Sequence, residues 1–115
     1  MTRRVRLHGE FVADFARQVA WLEREADMSW IERLEADVAR VIDLLGTYPR
    51  AGAIVDRAGA IILRRLVLSA TPYLAWYVYD ENRPSGDIWL VRLFHSRQLR
   101  PVPEPSRWPQ RSRPI

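Results

Sequence analysis

Apolar residues recur along this chain with two different periods, and the change between them falls near residue 58. At the start, Arg4-Val5-Arg6-Leu7 alternates polar and apolar side chains, which is the period of a short strand. From Gly9 and Glu10 onwards, Phe11, Phe15, Val19, Leu22 and Ala26 return every three or four residues, so one face of a helix is apolar. The pattern breaks at Asp27-Met28. Ser29-Trp30-Ile31-Glu32 then has the form of a capping box, in which a hydroxyl accepts from an amide of the first turn and the glutamate reaches back. Ile31, Leu34, Val38, Val41, Ile42 and Leu45 mark the core face of a second helix, and Gly46 with Pro49 beyond it marks the end. Two helices joined by so few residues predict an antiparallel hairpin.

Beyond residue 58 the spacing suits strands. Gly59 to Ser69 is rich in branched side chains, Tyr73 to Tyr79 follows the Thr71-Pro72 break, and Asp87 to His95 follows the turn-forming Asp80 to Gly86. Three such strands predict an antiparallel meander. The order β-α-α-β-β-β predicts an α+β fold, with the helix hairpin on one face of a small antiparallel sheet. The length suits a single domain over residues 1–100. Residues 101–115 carry five prolines and three arginines and are expected to form a flexible tail; the alternative is a tail that docks through Trp108 and its arginines.

Composition narrows the function classes. No apolar run approaches the ~20 residues that span a bilayer, and the charged N-terminus has no hydrophobic stretch behind it, so neither a membrane span nor a signal peptide is expected. The chain has no cysteine, which excludes disulfides and cysteine–zinc sites and suits a reducing cytosol. It has no phosphate-binding glycine loop, no histidine–carboxylate metal spacing and no nucleophile elbow. No metal and no cofactor is expected.

Charge sharpens the picture further. The net charge is +4, and all 18 basic residues are arginine. Residues 1–45 hold seven arginines against nine acids, whereas residues 46–115 hold eleven against five. The second half is therefore expected to meet an anionic partner, either nucleic acid or an acidic protein.

In their order and spacing several stretches resemble the RelE/ParE superfamily of toxins from type II toxin–antitoxin pairs. They are ADMSWIERLEAD (26–37), LLGTYPRAG (44–52), LRRLVL (63–68), YLAWYVY (73–79) and the closing RLFHSRQ (92–98), and the likeness spans roughly residues 4–98. It implies a cytoplasmic toxin neutralised by a cognate antitoxin in a hetero-oligomeric complex, with no cofactor. The superfamily divides by target. One branch resembles RelE and cleaves mRNA on the ribosome; the ParE branch poisons DNA gyrase. The Arg-x-x-His-small-Arg pattern at 92–97 is similar to the ParE branch, which implies a gyrase-binding toxin rather than an enzyme. The alternatives are a ribosome-dependent mRNA endonuclease and, more weakly, a binding module without toxicity.

The candidate residues follow from these chemistries. A nuclease needs an acid–base group and cations for the phosphorane charge, and the residues of the right type are His95, Arg64, Arg65, Arg92 and Arg97. The set is incomplete beside the nuclease relatives: Ser96 stands where they have tyrosine, no lysine occurs, and only Asp56 falls in the loop before the strand. For His95 the alternative is a strand-end side chain that packs and hydrogen-bonds; for His8 it is a helix cap or plain exposure. As a target- or antitoxin-binding surface, the candidates are Arg64, Arg65, Tyr73, Tyr77, Tyr79, Arg92, His95 and Arg97. Strand alternation places Leu74, Trp76 and Val78 on one face, the expected floor under the helices. It places Tyr73, Tyr77 and Tyr79 on the other, which the antitoxin is expected to cover. On the third strand strict alternation groups Trp89, Val91, Leu93 and His95 against Ile88, Leu90, Arg92 and Phe94.

Overall fold

The structure is a computed structural model and describes residues 2–98 and 102–109. Its elements are β1 (Val5–Leu7), α1 (Gly9–Glu25), α2 (Met28–Thr47), β2 (Ala53–Ala58), β3 (Ile61–Val67), β4 (Tyr73–Asp80) and β5 (Ile88–His95). They form an α+β fold in which the hairpin α1–α2 covers one face of a five-stranded sheet of order β1-β5-β4-β3-β2. β2, β3, β4 and β5 form an antiparallel meander, and β1 lies parallel beside β5 with Val5 opposite Ile88.

β2 is a strand that the hydrophobic pattern does not announce. Its sequence AIVDRA has little alternation, and it pairs with β3 through a register shift around Val55. Gly59 makes the turn between them with φ 61°, a conformation that costs a residue with a Cβ far more than glycine.

The helix starts differ in detail from the sequence reading. α2 is capped by Asp27, whose carboxylate accepts the Ser29 amide at 2.9 Å and the Ser29 hydroxyl, so the cap lies two residues before the Ser29 capping box. α1 is capped by His8, whose Nδ1 accepts from the Glu10 amide at 3.2 Å. Gly46 lies inside the last turn of α2, where its carbonyl accepts from the Arg3 amide.

The largest correction concerns which face of the sheet the helices cover. They pack on Tyr73, Ala75, Tyr77 and Tyr79, together with Ile62, Ile88, Leu90 and Leu93, and Phe11, Leu22, Leu34 and Leu45 fill the layer between. Leu74, Trp76 and Val78 lie on the opposite, outer face. Two apolar faces flank β4, and alternation alone cannot say which one the helices choose. On the covered face the Tyr77 hydroxyl finds partners in Pro49 and Gly52 and the Tyr79 hydroxyl in Arg64 of β3. A register shift on β4–β5 also breaks the alternation of β5. Trp76 is opposite Arg92 while Tyr77 is opposite Leu90, so Val91 is the extra residue of a bulge. Leu90 and Leu93 therefore share the helix face, while Trp89, Val91 and Phe94 belong to the outer side.

The outer face has its own cluster of Leu63, Trp76, Val78, Val91 and Trp108. Trp108 is 3% exposed, and its Nε1 donates to the Pro103 carbonyl at 3.0 Å. Residues 102–109 thus lie back on the sheet through Trp108, with a single helical turn at Pro105–Arg107, where a solvated tail was expected. The rest of that tail lies outside the described residues. Among the described residues no helix is long and apolar enough to cross a membrane.

Candidate functional site

The residues singled out from the sequence, Arg65 excepted, separate into three places. The first is an internal network. Arg64 is 8% exposed; its Nε donates to the Tyr79 hydroxyl at 2.9 Å and its Nη1 to the Gly52 carbonyl at 2.7 Å. Tyr77 accepts from the Gly52 amide and donates to the Pro49 carbonyl. Burial pushes the Tyr77 hydroxyl up to about 12, so it stays protonated and able to donate. These groups fasten the loop between α2 and β2 to the sheet. Tyr73, Tyr77 and Tyr79 are buried under the helices, so they do not form the open face expected of a binding surface, and of the three only Tyr73 reaches a groove.

Arg92 occupies the second place. It grips Asp14 of α1 in a fork, with Nε at 2.7 Å and Nη2 at 3.1 Å from the two carboxylate oxygens. Glu10 lies 3.3 Å from Nη1, and the Phe94 ring lies under the guanidinium with its centroid at 4.4 Å. The hydrogen bond to Asp14 holds the guanidinium pKa above its ordinary value. Asp14 is buried, and it also accepts the Leu93 amide at 3.0 Å where β1 no longer pairs with β5. Arg92 therefore locks α1 to the sheet. Arg65 stands apart on the outer face, exposed and opposite Trp76.

The third place is a groove where the ends of β4 and β5 meet α1. His95 lies edge-on to Tyr73 with ring centroids 5.4 Å apart, and its Nδ1 accepts from the Arg97 amide at 3.1 Å. Its own amide donates to the Gln98 side chain at 2.9 Å. Burial raises the Tyr73 hydroxyl above its ordinary pKa. A cavity of about 640 Å³ opens here between Arg17, Trp21 and Arg24 of α1 and Tyr73, His95 and Arg97 of the sheet end. An adjoining cavity of about 210 Å³ runs under Trp21 to Leu22, Trp30 and Pro72.

Of the sequence candidates, Tyr73, His95 and Arg97 meet at this groove, whereas Arg64, Tyr77 and Tyr79 meet in the internal network. Arg64 lies opposite Tyr77 and His95 opposite Tyr73 on the two flanks of β4, four residues apart along the strand. That separates their backbones by about 13 Å along the strand and about 10 Å across it, roughly 16 Å in all. Arg17, Trp21 and Arg24 were missed. Their signal is a stripe at i, i+4 and i+7 on the polar side of α1, an aromatic between two cations, which a search for the apolar stripe passes over. Among the described residues no group of three or more histidines and carboxylates is arranged to hold a metal ion.

No family model matches the sequence, and no curated protein matches it. Solved structures do match in shape. A chain of the chromosomal ParDE TA system from P. aeruginosa superposes with a TM-score of 0.60 at 14% identity, over 82% of this chain and 96% of that one. A chain of the archaeal RelE-RelB complex from Pyrococcus horikoshii OT3 gives 0.56 at 16% identity, over 86% of this chain and 100% of that one. The chain therefore has the fold shared by these chains of the ParDE and RelE-RelB systems.

Proposed function

We propose that this chain is the toxin of a type II toxin–antitoxin pair, held silent in a complex with a cognate antitoxin, and that it acts by binding DNA gyrase rather than by cutting RNA. The likeness in fold to chains of the ParDE and RelE-RelB complexes supports the toxin reading. Residues 1–100 are its toxin domain, and it works in the cytoplasm. One observation carries the choice of binding over cleavage. Arg64 and Arg92, two of the four arginines available for phosphate chemistry, are spent on internal partners, and Arg64 is remote from His95. A nuclease needs its cations and its acid–base group around one phosphate.

The alternative, ribosome-dependent cleavage of mRNA, is favoured by the meeting of His95, Tyr73 and Arg97 in one groove. Induction of the chain alone, with DNA and protein synthesis pulse-labelled in parallel, decides between them. Gyrase poisoning stops DNA synthesis first. If translation collapses first, the binding reading is wrong, and His95→Ala should then abolish toxicity by removing a group worth ~10²–10⁴ in rate.

A further inference from the structure

We infer that the groove at the His95 end is a docking site for an acidic protein segment that carries one large apolar anchor residue. The inference rests on the reading of this chain as a binding toxin and adds the chemistry of what it binds.

The groove has two parts that share Trp21, Tyr73 and His95. The outer part is a cationic rim. Arg17, Arg24 and Arg97 line it and no carboxylate does. Arg17 is paired with Asp14, but Arg24 and Arg97 form no ion pair among the described residues. Two guanidinium forks facing one groove without counter-charges are complementary to carboxylates. The inner part is apolar, walled by Leu22, Ala26, Trp30 and Pro72. Its volume of about 210 Å³ admits one large side chain. Trp21 is 48% exposed and stands between the two parts, which is the setting in which a tryptophan contributes most to an interface.

The inner pocket also separates protein from nucleic acid. Phosphates suit the rim, but Leu22, Ala26 and Pro72 offer the pocket no side-chain hydrogen bond, so a base there leaves part of its polar edge unpaired even where it meets Tyr73 or His95, and burying polar groups unpaired is unfavourable. A leucine or phenylalanine side chain loses nothing there.

The test is selection of peptides from a random dodecamer library on the full-length chain, followed by binding measurements on the recovered peptides. The expected peptides place acidic residues around a leucine, phenylalanine or tryptophan. Their affinity should fall about tenfold or more in Arg24→Glu/Arg97→Glu, with the melting temperature unchanged because both positions are exposed, and similarly in Trp21→Ala. The inference is overturned if no peptide is enriched, if the enriched peptides lack acidic residues, or if the variants bind them as well as the parent does. It is also overturned if a twelve-nucleotide oligothymidylate displaces them, because the groove then belongs to nucleic acid. Pulse-labelling reads the cellular target and this selection reads the groove, so failure of one is distinguishable from failure of the other.

Discussion

The Tyr77 hydroxyl lies 2.8 Å from the Gly52 amide nitrogen and 2.7 Å from the Pro49 carbonyl oxygen, so one phenol closes the loop that leads from the helices into the sheet. Gly52 itself has no room for a side chain: a Cβ there would sit 2.6 Å from the Arg65 carbonyl oxygen. Tyr77→Phe keeps the ring but leaves a buried amide and carbonyl unpaired. The expected loss is about 1–3 kcal/mol in urea denaturation. The pH response has a defined sign. Burial raises the folded hydroxyl to about 12, above its value of 10.0 in the unfolded chain, so its contribution is intact below pH 10 and declines between 10 and 12. In Tyr77→Phe that part of the alkaline decline should be absent.

Asp37 gives the opposite dependence. It is buried on α2 and gathers the β3–β4 turn, accepting the Thr71 hydroxyl at 2.6 Å and the Ala70 amide at 3.1 Å, and it pairs with Arg40. Burial works against its charge, but the hydrogen bonds from Thr71, Arg40 and Ala70 outweigh that, and the carboxyl lies below its ordinary value of 3.8. Its contribution is present above pH 3.8 and is lost as the pH falls through the folded value. Asp37→Ala should cost about 2–4 kcal/mol at neutral pH, and the gap to the parent should narrow in denaturation curves taken at pH 3 and below.

Arg64 and Arg65 are neighbours with opposite fates. Arg64→Ala removes a buried cation from the Tyr79 hydroxyl and the Gly52 carbonyl, and it should lower stability by about 2–3 kcal/mol. Arg65→Ala changes an exposed side chain and should stay within about 0.5 kcal/mol of the parent. Thermal melts of the two variants side by side check this. Equal destabilisation would contradict the internal role of Arg64.

Trp108 seals the outer face. Trp108→Ala uncovers Leu63, Trp76, Val78 and Val91, and the expected outcome is a loss of about 2–3 kcal/mol with a rise in the fluorescence of an apolar dye. An unchanged dye signal would show that this cluster does not depend on residues 102–109.

The periodicity of the chain was enough to read the helix hairpin and β3 to β5, because their apolar residues repeat cleanly. It missed β2, where alanine and a bulge erase the pattern. It could not choose the covered face of the sheet, since Leu74, Trp76 and Val78 are as apolar as the tyrosines opposite them and a tyrosine declares its place only through the partner of its hydroxyl. The bulge at Val91 is silent in sequence for the same reason: alternation shifts there with no glycine or proline to mark it. Of the site, residue type pointed to His95, Arg97 and Tyr73. The arginines taken up internally looked identical to the exposed ones, because Asp14, Gly52 and Tyr79 become their partners only through the fold.

The parallel pairing of β1 with β5 governs how fast this sheet can be completed. Every other strand pair joins neighbours along the chain, but Val5 must find Ile88 across nearly the whole domain. The closure entropy of so long a loop grows only by about 0.6 kcal/mol per doubling of its length, so the penalty to the final state is modest. The penalty to the rate is larger, because distant pairings form late and slow the search. The meander can assemble from local contacts, and the edge at β5 then waits for the N-terminal segment to return.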